Sequence, residues 1–418
     1  MVKHHDLLRS FKDNCGFGLV ANIKNKASRK VLDDAVAADG KTGDGSGLLL
    51  SMPEEFIRKE ASANGVELPT QFAVASVFTK NKAHLKIMEN ICVNNDLKIV
   101  YTRDVPVDIN ALGDQAIASL PHIVQLCITP NSIMATNRFD ALLYLSRKEV
   151  EHKLIDERDF YISSMSSKVL SYKGLVMPTH IKEFYKDFQD ESFKVSFSLF
   201  HQRFSTNTLP EWRLAQPFRA VAHNGEINSV EGNRLNVEIK SESIKSEVFT
   251  PEEIDRILPI LQLNSSDSAS ADNFFEFLIV NGMDFFKAVR AVIPSAWQNA
   301  PHMDPELRAF YEYHSTVFEA WDGPAAFSVT DGRYIGCVLD RNGLRPSKYI
   351  ITNDDNLLIA SEYGVVDIDE DNIKERGRLQ SGEMLGLDLK FGKVLKNEQI
   401  NDYLKKSLTS IWIYQIIT

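Results

Sequence analysis

The sequence predicts an α+β protein in which antiparallel sheets stack face to face, with helices on the outside. Three observations carry that expectation. The first half of the chain is a succession of short runs rich in valine, isoleucine, leucine and aromatics, several of them separated by turn residues. Residues 229–320 change to apolar residues at helical spacing. Strand-like runs then return in pairs, the pattern of hairpins. Strands that follow one another at this spacing pair antiparallel, and the apolar face of each sheet has to be covered by a further layer.

Taken in order, "CGFGLVANI", "GSGLLLSM", "QFAVASVFT", "LKIVYTRDV", "HIVQLCIT" and "ALLYLSR" read as strands. "FYISSMSSKVLSYKG" and "FKVSFSLFHQRFS" continue the pattern with near-alternation of apolar and polar residues. "PEEIDRILPILQ" opens a helix, with Pro251 in its first turn and acids behind it. "SASADNFFEFLIVNG" offers Ser268 as N-cap and Gly282 as stop, and "DPELRAFYEYHSTVFEAW" is another helical segment. "AAFSVT-DG-RYIGCVLD" is a hairpin turning at Asp331-Gly332, and "SKYIITNDDNLLIAS" and "EMLGLDLKFGKVL" read as two more.

Composition narrows the function classes. The 418 residues carry a net charge of −10, which disfavours non-specific nucleic-acid binding and attachment to an anionic membrane. The four cysteines, Cys15, Cys92, Cys127 and Cys337, are scattered with no C-x-x-C pair. They form neither a disulfide framework nor a zinc or iron–sulfur ligand set, so no metal is expected and a reducing, cytoplasmic setting fits best. No apolar stretch is long enough to span a bilayer, and the leader "MVKHHDLLRSFKDN" lacks the apolar core of a secretory signal.

Polar, glycine-bearing clusters interrupt the strands at "HQRFSTNT" (201–208), "AHNGEIN" (222–228), "NSSDSASADN" (264–273) and "DRNGLRP" (340–346). Such connections are where binding residues collect. Asn224 and the backbone of Gly225 offer two hydrogen-bond donors that would form an oxyanion hole, or an ordinary Asn-Gly turn. Arg203 suits a carboxylate, or an unremarked place at the edge of the core. Asp267 suits a ligand ammonium, or the cap of the helix behind it. The DRNGLRP stretch reads as a turn through Asn342-Gly343, its arginines without catalytic role. His201 and His223 read as structural. Cys15, between a short charged leader and two glycines, raises the question of what must come close to its sulfur.

Together, "CGFGLVA", "DGKTGDGSGLLL", "HQRFSTNT", "RAVAHNGEIN", "SSDSASADN", "GPAAF" and "LDRNGLRPSKY" resemble the amidotransferase domain of glutamate synthase large chains, a class II glutamine amidotransferase and N-terminal-nucleophile hydrolase. The resemblance implies a four-layer αββα sandwich with two mostly antiparallel sheets. It implies a propeptide at 1–14, an amidotransferase domain at 15–400, and a truncated tail at 401–418 leading towards an absent synthase domain. It assigns Cys15 as nucleophile, Asn224 and Gly225 to the oxyanion, Arg203 to the α-carboxylate of glutamine and Asp267 to its α-ammonium. The reaction implied is hydrolysis of L-glutamine to glutamate and ammonia through a cysteine thioester. The ammonia would aminate 2-oxoglutarate in the synthase domain. No cofactor is expected in this chain; FMN and an iron–sulfur cluster belong to the synthase domain, and the small subunit is a further expected partner.

One departure stands out. The family carries a His-Arg-Gly segment before "DGKTGDG", lining the glutamine pocket, whereas this chain runs "SRKVLDDAVAADGKTGDG". That gap supports an alternative reading: a degenerate, non-catalytic module that binds glutamine or synthase subunits only. A Cys–His thiol hydrolase that needs no leader removal is a third.

Overall fold

The computed structural model describes residues 16–37, 45–202, 210–262 and 265–406. Sixteen strands lie among them. They are β1 (Phe17–Asn22), β2 (Ser46–Ser51), β3 (Ala73–Thr79), β4 (Leu97–Asp104), β5 (His122–Pro130), β6 (Tyr161–Ser166), β7 (Val169–Gly174), β8 (Phe197–His201), β9 (Val221–Gly225), β10 (Ala325–Thr330), β11 (Tyr334–Leu339), β12 (Lys348–Thr352), β13 (Asn356–Ala360), β14 (Ile373–Arg378), β15 (Met384–Asp388) and β16 (Lys393–Leu395). They form a seven-stranded sheet ordered β14-β12-β13-β1-β8-β2-β7, a five-stranded sheet ordered β16-β15-β11-β10-β9, and a four-stranded sheet ordered β4-β5-β3-β6.

Strand alternation turns the first two sheets into the middle of a sandwich. Phe17, Leu19 and Ala21 of β1, Leu199 of β8 and Ile359 of β13 share one core with Ala222, Ala326, Ile335, Cys337 and Leu387 of the five-stranded sheet. The residues between them point the other way. Val20, Leu48, Phe200 and Leu358 join Val31, Leu32 and Ala35 of the helix Arg29–Ala37 and Phe56 and Ile57 of the helix Glu54–Ala63. On the far side of the five-stranded sheet, Val221, Phe327, Val329 and Val338 pack with Phe274, Phe275 and Leu278 of the helix Asp267–Val280 and with Phe285, Ala288 and Val289 of the helix Phe285–Val292. Period-two strands between amphipathic helices thus give helix, sheet, sheet, helix. Every strand pairing among the described residues is antiparallel. The third sheet was not separated by the sequence reading. It joins the edge of the first through the consecutive strands β6 and β7.

Two expectations need correction. "ALLYLSR" is not a strand but the middle of the helix Thr136–Lys153. All of 141–148 is buried, including Arg147 and Lys148, so the helix shows no polar stripe by which its period would be read. The helix beginning at Pro251 closes at Ile257 rather than running on through 262, because Pro259 follows and the residue before a proline avoids the helical region. At the other end of the chain the helix Asn397–Lys406 crosses the expected boundary at 400 and buries Ile400 and Leu404 against the body.

Candidate active site

β9 forms one edge of the five-stranded sheet and ends in His223, Asn224 and Gly225. Gly225 has φ +139, and a Cβ there would lie 2.0 Å from the carbonyl oxygen of Pro324. Only glycine fits, for steric and conformational reasons together. The partner segment has the matching need: a Cβ on Gly323 would lie 1.8 Å from Glu226 O. The close approach of 225–226 to 323–324 therefore explains both "HNG" and the "GP" of "GPAAF". Asn224 is buried, 6 % exposed, in register with Ala326 of β10.

Asp267 comes from a different element, the first residue of the helix Asp267–Val280. Its cap is Ser266, whose Oγ accepts from Ala269 N at 3.2 Å; neither Ser268 nor Asp267 caps it. Asp267 turns its carboxylate back to β9. Oδ2 accepts from Ile227 N at 3.0 Å, and Oδ1 accepts from Ser268 N at 2.6 Å and from Ser268 Oγ at 3.1 Å. The carboxylate thus lies against the turn that follows Gly225.

His223 lies beneath this arrangement, 2 % exposed. Its backbone N–H donates to Gln216 Oε1 at 2.8 Å, its ring stacks on Phe327, and Nδ1 is 2.7 Å from Ser268 Oγ. Burial pushes the imidazole down to about 4, against the opposing pull of Asp267. Its carbonyl oxygen accepts from His201 Nε2 at 3.0 Å. His201 is on β8, in register with Phe17 of β1. One hydrogen bond therefore ties the end of β8, the neighbour of β1 in the first sheet, to the Asn224-Gly225 end of β9, in the second.

The start of β1 has its own close packing. Gln202 N donates to Gly16 O at 2.9 Å. A Cβ on Gly16 would lie 1.9 Å from Gln202 Oε1, and one on Gly18 would lie 2.1 Å from Ile359 O. The two glycines of "CGFG" make room for a neighbouring side chain and a neighbouring strand. Gln202 is 4 % exposed, and neither atom of its amide has a partner among the described residues. Cys15 and Arg203 lie outside the described residues, each adjoining one member of this hydrogen-bonded Gly16–Gln202 pair in the chain.

Of the site residues expected from sequence, Asn224, Gly225 and Asp267 are brought together. His201 and His223, read as structural, are hydrogen-bonded to each other between the two sheets, and the His223 ring meets Ser268, whose hydroxyl donates to Asp267. The remaining cysteines are buried: burial pushes the thiols of Cys92 and Cys127 up to about 12 and that of Cys337 to about 11, where thiolate is scarce. The DRNGLRP segment is a turn. Asp340 Oδ2 accepts from Asn342 N at 2.8 Å, and Arg341 pairs with Asp322 at 2.7 Å, leaving that arginine a structural role. Among the described residues no group of three or more His, Cys, Asp and Glu has the arrangement to hold a metal ion, and no helix is long and apolar enough to cross a membrane. What the sequence reading missed is the set of second partners. Gln216, Ser268 and Gln202 meet the site from separate stretches of chain, and local spacing carries no sign of that.

The family described as class-II glutamine amidotransferases matches residues 15–409. Among curated proteins, the chain is 38% identical over 407 residues to the glutamate synthase [NADPH] large chain of Bacillus subtilis, covering 93% of this chain and 27% of that protein. It is 36% identical over 436 residues to the glutamate synthase [NADH] of Saccharomyces cerevisiae, covering 97% and 20%. It is 35% identical over 410 residues to the ferredoxin-dependent glutamate synthase 2 of Synechocystis, covering 93% and 26%. The chain therefore spans about a quarter or less of the length of these relatives. Among solved structures, a glutamine phosphoribosylpyrophosphate amidotransferase from B. subtilis aligns with a TM-score of 0.31 at 14% identity, covering 78% of this chain and 49% of that one.

Proposed function

The chain belongs to the class-II glutamine amidotransferases, and from that membership we propose that it hydrolyses L-glutamine to glutamate and ammonia, with Cys15 as nucleophile. The observation that carries the proposal is the junction at the mouth of the sandwich. His201 of β8, in register with Phe17 of β1, hydrogen-bonds the carbonyl oxygen of His223, which directly precedes Asn224-Gly225, and the Asp267 carboxylate accepts from the turn that follows.

The chemistry follows from those residues. Removal of 1–14 makes Cys15 the first residue and turns its amide nitrogen into an amine with a pKa of about 7.7–8.0. That amine accepts the thiol proton as Sγ attacks the side-chain carbonyl carbon of glutamine. The oxyanion is held by Asn224 and by Gly225 N–H. Arg203 grips the α-carboxylate and Asp267 the α-ammonium, which orients the amide towards the sulfur. When the tetrahedral species collapses, the C–N bond breaks and the ammonium formed from the amine returns its proton to the departing nitrogen. Water then cleaves the thioester to glutamate and free thiol. While the Asn14–Cys15 peptide bond is intact that nitrogen is an amide and takes no proton, so the leader acts as a switch.

The relatives are synthases much longer than this chain, so we assign the ammonia to amination of 2-oxoglutarate in a synthase domain, with the small subunit as a further partner and the cytoplasm as the setting. FMN and an iron–sulfur cluster belong to that chemistry. The separated, buried Cys92, Cys127 and Cys337 do not suit a cluster, and no step above uses one.

Two measurements on the full chain test the proposal: intact mass, and ammonia release with L-glutamine for wild type and Cys15→Ala. The expected result is a mass beginning at Cys15, with ammonia release in wild type and none in a Cys15→Ala protein that melts at the same temperature. Release that survives Cys15→Ala, or full activity with Met1 still attached, would overturn it. A processed chain that binds glutamine yet releases no ammonia would instead favour the non-catalytic module, for which the missing His-Arg-Gly segment speaks.

A further inference from the structure

We propose that His223 and Ser268 are positioning residues for the glutamine ammonium, acting through the Asp267 carboxylate; this rests on the reading of Asp267 given above. Asp267 is held at both oxygens by different parts of the molecule. Oδ2 takes Ile227 N–H at 3.0 Å from the turn after β9, while Oδ1 takes Ser268 Oγ–H at 3.1 Å. With its proton committed to Asp267, the Ser268 hydroxyl has only lone pairs to offer His223 Nδ1 at 2.7 Å, so the ring must carry its proton on Nδ1. The result is a directed chain, His223 Nδ1–H to Ser268 Oγ–H to Asp267 Oδ1.

The surroundings hold the ring in place. The His223 backbone is clamped by Gln216 at its N–H and by His201 at its carbonyl oxygen, and the ring lies flat on Phe327. Burial keeps the imidazole neutral, so it has one donor and not two. His223 also directly precedes Asn224. The strand that presents the oxyanion donors therefore also steers the carboxylate at the opposite end of the substrate. A neutral ring 2 % exposed, with Nε2 lacking a partner among the described residues, suits an orienting role and does not suit proton exchange with substrate.

The test compares L-glutamine with glutaramic acid, the same amide acid without the α-amino group, as substrates of the processed full chain. Wild type should prefer glutamine in kcat/KM, and Asp267→Asn should abolish that preference. Ser268→Ala and His223→Leu should each reduce the preference about tenfold, through KM for glutamine, the scale of one charge-assisted hydrogen bond. They should leave glutaramic acid turnover near the wild-type value. His223→Asn, whose side-chain N–H stands where Nδ1–H stood, should restore most of the preference. Ser268→Ala changes one small atom and serves if His223→Leu does not fold. If Ser268→Ala leaves the preference intact, or slows both substrates alike, the inference is overturned. If Asp267→Asn keeps the preference, it is the reading of Asp267 that fails.

Discussion

At the scale of single residues, the site is built as much by what is missing as by what is present. Gly16 lacks the Cβ that would strike Gln202, and Gly225 lacks the one that would strike Pro324. The two cases differ in what has to yield. Opposite Gly16 stands the end of a flexible side chain, so Gly16→Ala should cost about 1–3 kcal/mol, read as a lowered melting temperature. Much of that loss should return in the double variant with Gln202→Ala, and the double-mutant cycle measures it. Opposite Gly225 stands backbone, and φ is +139, so Gly225→Ala should lose stability that no neighbouring substitution restores. The residue types at these positions were legible in the sequence, because "CGFG" and "HNG" state that bulk is excluded. What they exclude it for was not, since Gln202 and Pro324 are remote in the chain.

At the scale of elements, charge is concentrated on the helix Thr136–Lys153. Arg147 pairs with Glu151 at 2.7 Å and with Glu276 at 2.6 Å, and Arg219 joins Glu151 at 2.6 Å, all with little exposure. Burial alone would raise the Glu151 carboxyl, but Arg147 and Arg219 outweigh it and hold it at about 2. A carboxyl held below its unfolded value of about 4.5 stabilises fully above that pH, and the stabilisation is lost as pH falls towards 2. Wild-type unfolding free energy should therefore fall between pH 4.5 and 2 more steeply than that of Glu151→Gln. At pH 7 that variant should be about 3–5 kcal/mol less stable, because buried Arg219 loses its carboxylate partner and buried Arg147 loses one of its two. Chemical denaturation across pH reads both. The same burial hid the helix from sequence inspection: with polar residues enclosed as well as apolar ones, "ALLYLSR" offers no outer face to reveal its period. The hairpin at Asp331-Gly332 was legible for the converse reason, since its turn is local and Gly332 takes φ +84.

At the scale of the whole molecule, two sheets share one core, and the sides of that core come from distant parts of the chain. Leu199 is fully buried between them, so Leu199→Ala should cost about 2–5 kcal/mol and should lower ammonia release only as far as it unfolds the protein. Heating curves and activity measured at the same temperatures separate the two effects. The stacked sheets were foreseeable from strand alternation, but the third sheet was not, because pairing partners are not written into a strand's own composition. The arrangement around β1 has a consequence for the order of events in a cell. β1 sits between β8 and β13, with Gly18 facing Phe200 on one side and Ala360 on the other. The ribosome must therefore have polymerised most of this sequence before the strand opening at Phe17 acquires its second neighbour. Until then the seven-stranded sheet ends at β1, and the core that Leu19 shares with the second sheet stays open on a nascent polypeptide.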